Sequence, residues 1–185
     1  KGAELFIEKK IGNTTGWLSY TLSKTDRLFK DGSVNNGRLF PDKYDRRHNI
    51  SVCVNQRFNE RMDLSLTWIF QSGAMTTLPE SLSALPHISD PESITPTPYV
   101  SSKNNFRLPA SHRLNVSFNL HKPARKGESV WSFGIYNVYN AMNPNLVYLR
   151  EETKTNSLSN SEVIYMLRKI TILPFLPSVN YTYNF

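Results

Sequence analysis

Six stretches of this chain alternate apolar and polar residues with a period of two, and that pattern constrains the fold more than any other feature. Leu64, Leu66, Trp68 and Phe70 alternate with Asp63, Ser65, Thr67, Ile69 and Gln71. Leu114, Val116, Phe118 and Leu120 alternate with Asn115, Ser117, Asn119 and His121, and Val179, Tyr181, Tyr183 and Phe185 with Ser178, Asn180, Thr182 and Asn184. Shorter runs at Leu18–Leu22, Ile50–Val54 and Trp131–Ile135 repeat it. Successive side chains of a strand point to opposite faces, so each run is a strand with one apolar face. The spacing predicts seven main strands, near residues 2–10, 15–24, 47–57, 61–72, 111–121, 129–139 and 177–185. A weaker pair is expected near 145–151 and 162–170. No segment carries a helical stripe.

The connections alternate in length. Short ones are expected at Ile11-Gly12-Asn13, Phe58-Asn59-Glu60 and Lys122–Gly127, and long ones over residues 25–46, 72–110 and 140–176. Structureless loops beyond ~12–15 residues are uncommon in compact soluble domains. Short turns at one end and long loops at the other are the pattern of an outer-membrane barrel. The second long loop holds Pro79, Pro86, Pro91, Pro96, Pro98 and Pro109. Proline cannot donate to a ladder, so this loop contains no central strand. A linker between two domains is the alternative reading of it.

Alternation also suits a soluble β-sandwich with its apolar residues turned inward. Two details favour the barrel. The polar positions are rich in Ser, Thr, Asn and Gly rather than Lys and Glu, and Trp17, Tyr20, Trp68, Trp131, Tyr139, Tyr181, Tyr183 and Phe185 lie on or near strand ends. Aromatic girdles mark both interfaces of such barrels. The fold class expected is therefore all-β: an antiparallel meander, the C-terminal segment of a transmembrane β-barrel, with about seven barrel strands plus an extracellular hairpin. An odd strand count and a start at Lys1 rather than Met lead to the expectation that residues 1–185 are one segment of a larger barrel.

Composition limits the chemistry. With one cysteine, Cys53, the chain can form no internal disulfide and no multi-cysteine zinc site. His48, His87, His112 and His121 show no HExxH-type spacing, and no GxSxG, GxGxxG or P-loop pattern occurs. The chain is read as a non-enzyme with no catalytic residue, cofactor or metal site. Lys+Arg exceed Asp+Glu by 22 − 15 = 7, which permits an anionic partner. A nucleic-acid reading fails because the aromatics share a face with the aliphatics rather than with the cations. The densest charged cluster, Asp45, Arg46, Arg47 and His48, stays open between two roles: rim charges where a strand begins, or ligand contacts, since Arg forks suit phosphate and carboxylate. Cys53, between Val52 and Val54, falls among the polar positions as a small wall residue.

Four segments carry a family resemblance. The end of the chain, Leu173 to Phe185, closes on alternating aromatics and resembles the C-terminal signal read by the barrel-assembly machinery. Phe40-Pro41-Asp42-Lys43-Tyr44-Asp45-Arg46-Arg47-His48-Asn49, Asn105-Phe106-Arg107-Leu108-Pro109-Ala110-Ser111-His112-Arg113-Leu114-Asn115 and Gly134-Ile135-Tyr136-Asn137-Val138-Tyr139-Asn140 resemble, in order and spacing, motifs from the last third of TonB-dependent outer-membrane receptors. The chain departs from the family's pattern at Asn115, often Asp there, and at Ser111, often aromatic. The resemblance implies a barrel of about 22 strands filled by a plug that has no counterpart here. It implies import of an iron–siderophore, cobalamin or glycan across the outer membrane of a Gram-negative bacterium, driven by the TonB complex through that plug. Outer-membrane lipid, the barrel-assembly machinery and an unknown extracellular ligand are the other implied partners, with Tyr181, Tyr183 and Phe185 as the assembly signal. A porin-like or adhesin-like barrel without energy coupling, and a soluble β-sandwich binding module, are the alternatives.

Overall fold

The computed structural model describes residues 1–87, 90–124, 126–155 and 161–185, and within these the side chains outside 83–96, 151 and 153–163. In chain order the strands are β1 (Gly2–Lys9), β2 (Thr14–Ser23), β3 (Asp26–Arg27), β4 (Phe40–Pro41), β5 (His48–Asn59), β6 (Met62–Gln71), β7 (Met75–Thr76), β8 (Ser81–His87), β9 (Asp90–Tyr99), β10 (Phe106–Arg107), β11 (Ser111–Ala124), β12 (Gly127–Tyr136), β13 (Pro144–Thr155), β14 (Ser161–Thr171) and β15 (Leu176–Asn184). A 3-10 turn covers Asn35–Gly37.

Seven of these form one antiparallel sheet in the order β1-β2-β5-β6-β11-β12-β15. They are the seven main strands that the spacing predicts, each hydrogen-bonded to its neighbour in that order. The chain is therefore all-β with a seven-stranded meander. The sheet does not close on itself: β1 and β15 lie at its two ends. Lys122–Gly127, expected as a turn, is mostly ladder. Lys122 pairs with Ser129 and Ala124 with Gly127, so the strands run closer to their bend than the composition suggests.

The register sorts the alternating residues as their period requires. Val54, Leu66, Val116 and Ile135 lie side by side on one face. Cys53 and Thr67 pair on the other face, as do Asn119, Ser132 and Asn180. The apolar face is aliphatic in its middle and aromatic at both ends. Tyr20, Trp68 and Phe70 stand toward the long loops; Trp131, Tyr181 and Tyr183 stand toward the short turns, and Phe118 and Phe133 lie next to the aliphatic middle. The ring centroids of Trp131 and Tyr181 are 4.9 Å apart. Trp17 departs from that belt. It pairs with Cys53, one residue out of step with Leu18 and Tyr20, so it joins the polar face and stacks on Phe6 at 6.3 Å.

Among the described residues, no side chain of this sheet is buried. The buried hydrophobic residues are Phe40 and Leu78, both among the long loops. Phe40 stacks on Phe29, with ring centroids 6.1 Å apart. A soluble sandwich has the opposite arrangement, with a buried sheet face and wet loops.

Two further hairpins, β8–β9 and β13–β14, stand outside the sheet. The first lies in the proline-rich loop. As expected, that loop gives no central strand, yet it is a ladder of its own. Pro98 pairs with Leu82, Pro96 with Ala84 and Pro86 with Ile94. These pairs all belong to the same alternate set. The other set, Ser83–Thr97 and Leu85–Thr95, can carry the ladder hydrogen bonds, while the prolines turn their missing N–H toward a free edge. The second hairpin is the expected weaker pair, longer than its pattern indicated.

Candidate functional site

The loop end of the sheet is organised around Asp45. Its carboxylate is nearly inaccessible, at 2% exposure. It accepts a hydrogen bond from the Thr25 amide at 2.8 Å and from the Arg107 guanidinium, with Arg47 at 3.8 Å. Arg107 also donates to the carbonyls of Asp45 at 2.7 Å and Gly73 at 2.8 Å. The Asp45 and Arg107 side chains together thus join the segments that follow β2, precede β5, follow β6 and precede β11. Gly73 is required at this crossing: a Cβ there would collide with the Leu108 carbonyl. Asn104, also buried, donates to the Pro41 carbonyl at 2.7 Å and completes the junction of the two loops.

Burial pushes the Asp45 carboxyl up, but the Thr25 amide, Arg107 and Arg47 outweigh it and hold it below the usual carboxylate range. Asp42 is lowered chiefly by the Tyr44 amide, against its own burial, with help from Arg27.

A second junction forms at Asn137, which is 1% exposed. Its amide donates to Asn115 Oδ1 at 3.1 Å, its own Oδ1 accepts from the Ala141 amide at 2.8 Å, and its Nδ2 donates to the Ala141 carbonyl at 3.1 Å. Asn137 and Asn140 have φ of 54° and 51°, left-handed conformations that asparagine tolerates. Asn140 Oδ1 then accepts from the Phe175 amide at 3.0 Å, directing the chain into β15. The side-chain carbonyl that Asn115 uses here is one an aspartate would also supply.

The four consecutive residues Asp45–His48 therefore diverge. Asp45 sits in the loop junction. Arg46 donates to the Ser72 carbonyl at 3.3 Å and lines a hollow on the polar face. Arg47 lies beside Asp45, its Nε buried without a partner. His48 pairs with Leu22 on the apolar face, its Nδ1 2.9 Å from the Tyr20 hydroxyl. A matching pair, His112 and Tyr139, stands at the same end with Nδ1 and hydroxyl 3.1 Å apart. At the chain terminus, Tyr181 and Tyr183 share the apolar face through their pairing with Trp131 and Ser129, and Phe185 is fully exposed.

Sequence reasoning did not single out Arg113, Tyr136 or His121. Arg113 lines the same hollow of about 230 Å³ as Arg46, with Gln71, Ser111 and Tyr136. It donates to the Tyr136 hydroxyl at 2.5 Å, its guanidinium lies 5.0 Å from that ring's centroid, and its Nε is buried without a partner. At the turn end of the same face, His121 lies 2.6 Å from Asp63 and 3.0 Å from Glu128, while Asn119 donates to Asp63 at 2.7 Å. This cluster fastens β6, β11 and β12 together. Cys53 is half-buried on the polar face with the Thr67 hydroxyl 4.0 Å from its sulfur. Among the described residues no group of three or more His, Cys, Asp and Glu side chains could hold a metal ion.

In comparisons with protein families, curated proteins and solved structures, the chain matches none.

Proposed function

We propose that this chain is a wall segment of a transmembrane β-barrel in the outer membrane of a Gram-negative bacterium. The barrel belongs to a TonB-dependent receptor that imports an extracellular ligand. The observation that carries the reading is the inverted distribution of burial. The sheet's apolar face is covered by nothing among the described residues, while buried side chains collect in the loops. A large uncovered apolar face on a soluble protein drives aggregation. Against lipid it is the solvated face. Its aliphatic middle then meets acyl chains, and its aromatic ends meet the two interfaces. Strands β5, β6, β11 and β12 have 12, 10, 14 and 10 residues, enough for the ~9–11 that a tilted crossing needs.

Within this reading the Ser/Thr/Asn face lines the lumen, the long loops lie outside the cell and the short turns face the periplasm. The open edges at β1 and β15 pair with further strands of the receptor, as every backbone group in a bilayer requires. Energy-coupled import rests on the resemblance of the three rim motifs. The structure gives two of them a common job: Asp45 of the first bonds Arg107 of the second.

Membrane fractionation of the full receptor tests the first half. The protein should require detergent, float with outer membranes and migrate differently on gels before and after boiling. A monodisperse, detergent-free protein would reject the barrel. Ligand uptake tests the second half: it should cease when the inner-membrane proton gradient is dissipated. Uptake that persists would make the barrel porin-like.

A further inference from the structure

We propose that the hollow lined by Arg46 and Arg113 is an anion subsite, which takes a carboxylate or phosphate group of the imported ligand. The inference rests on the lumenal placement proposed above and adds the chemical class of the ligand.

Two cations share this hollow, and among the described residues no acid lines it. Its other polar lining comes from Gln71, Ser111, Tyr136, Asn143, Asn145 and the His112 imidazole. Among the described residues neither arginine forms a salt bridge. Arg46 has one hydrogen bond, to the Ser72 carbonyl, and Arg113 one, to the Tyr136 hydroxyl. The neighbouring carboxylate, Asp45, is already taken by Arg107, Arg47 and the Thr25 amide. Each guanidinium has five N–H donors, so most remain unused.

The Arg113 Nε is buried and unsatisfied, and a charged group left so is costly. Two like charges in one recess also repel. An anion in the hollow relieves the repulsion, and the planar fork of arginine suits the paired oxygens of carboxylate or phosphate. Tyr136 holds Arg113 through its hydroxyl and its ring face, so the fork is fixed before a ligand arrives. At about 230 Å³ the hollow is smaller than the ~300–1,000 Å³ of whole-ligand pockets. It therefore fits one anionic group of a larger molecule.

The test titrates the full receptor, purified in detergent, with citrate and inorganic phosphate, using glucose as a neutral control. Calorimetry should show saturable binding of an anion and none of glucose. Arg46→Gln and Arg113→Gln should each weaken binding at least tenfold, and the double variant should abolish it. Arg46→Lys and Arg113→Lys keep the charge without the fork and should bind with intermediate affinity. Arg168→Gln, in the β13–β14 hairpin, should bind as wild type. Heat-modifiable migration of every variant reports barrel integrity separately, so failure of the subsite is distinguishable from failure of the barrel. If wild type binds no anion, or the variants bind equally well, the proposal is overturned. It is also overturned if the glutamine variants lower thermal stability while wild type takes up no anion. That result would mean a carboxylate from elsewhere in the receptor fills the hollow.

Discussion

Asp45 and Arg107 lie 62 residues apart and meet in a side chain-to-side chain ion pair, reinforced by a 2.7 Å bond from the arginine to the Asp45 carbonyl. The pair explains why the loop end of an otherwise uncovered sheet is ordered. The carboxylate bridges a backbone amide and two arginines from separate connections, and Asn104 and Phe40 are buried beside it. Breaking the pair should therefore free the loops without dissolving the sheet.

Asp45→Asn keeps the shape and removes the charge, leaving Arg107 without its counter-ion. Removing one partner of a buried pair costs about 3–5 kcal/mol, and the lower end applies because Arg107 is about one-third exposed. The expected result is faster protease cleavage within residues 25–46 and 72–110, with heat-modifiable migration retained. Loss of the barrel band itself would show that the pair supports the sheet.

The same carboxylate sets an acid limit. Its folded pKa lies below the unfolded value near 3.9, so its contribution is fully present above about pH 4. It is lost as pH falls through the depressed folded value. Loop protection against an acid-tolerant protease should be flat from pH 7 to about 4 and fall below that. In Asp45→Asn the Asp45 part of that fall should vanish, leaving the part from Asp42, Asp31 and Glu80, which are also held low. An undiminished fall in the variant would assign the effect elsewhere.

The seven sheet strands were legible because side-chain parity is a local property: one face needs apolar residues at every second position. The β8–β9 hairpin was not. Its segments, SLSALPH and DPESITPTPY, show no clean alternation, and with two free edges a hairpin accepts prolines that a central strand rejects. The site was legible only in part. Asp45, Arg46, Arg47 and His48 stand out as a charge cluster, yet their separation into loop junction, hollow and outer face depends on register and chain crossings. Arg113 gave a weaker signal. It is a lone cation at a polar position near the start of β11, and its hollow exists only because β11 pairs with β6 at Ile69.

Facing can be tested at two adjacent residues. Phe118 pairs with Leu64 and Phe133 on the apolar face, whereas Asn119 pairs with Asp63 and Ser132 on the polar one. Phe118→Arg should cost ~2–4 kcal/mol if it lies near the bilayer midplane. Asn119→Arg should cost far less, because its side chain already bonds Asp63, which would accept the new cation. Unfolding midpoints of the two variants in lipid vesicles give the comparison. Equal penalties would contradict the assigned faces.

Phe185 should act in assembly rather than in ligand binding. It is fully exposed beyond β15, and among the described residues its ring stacks on Tyr183 alone, at 6.3 Å. Tyr183 in turn donates to the Lys126 carbonyl at 3.3 Å, so the aromatic end of β15 is anchored to the short turn before β12. That turn end lies opposite the long loops and the arginine hollow, along the whole length of the sheet. A change at Phe185 has no contact through which to alter ligand affinity. It does alter an exposed apolar edge, the kind of surface by which an unfinished sheet pairs with another strand. Deleting Phe185 from the full receptor should therefore lower the amount inserted in outer membranes, read by surface labelling. Ligand affinity per inserted molecule should stay at the wild-type value. Normal insertion with weakened binding would give this residue the opposite role.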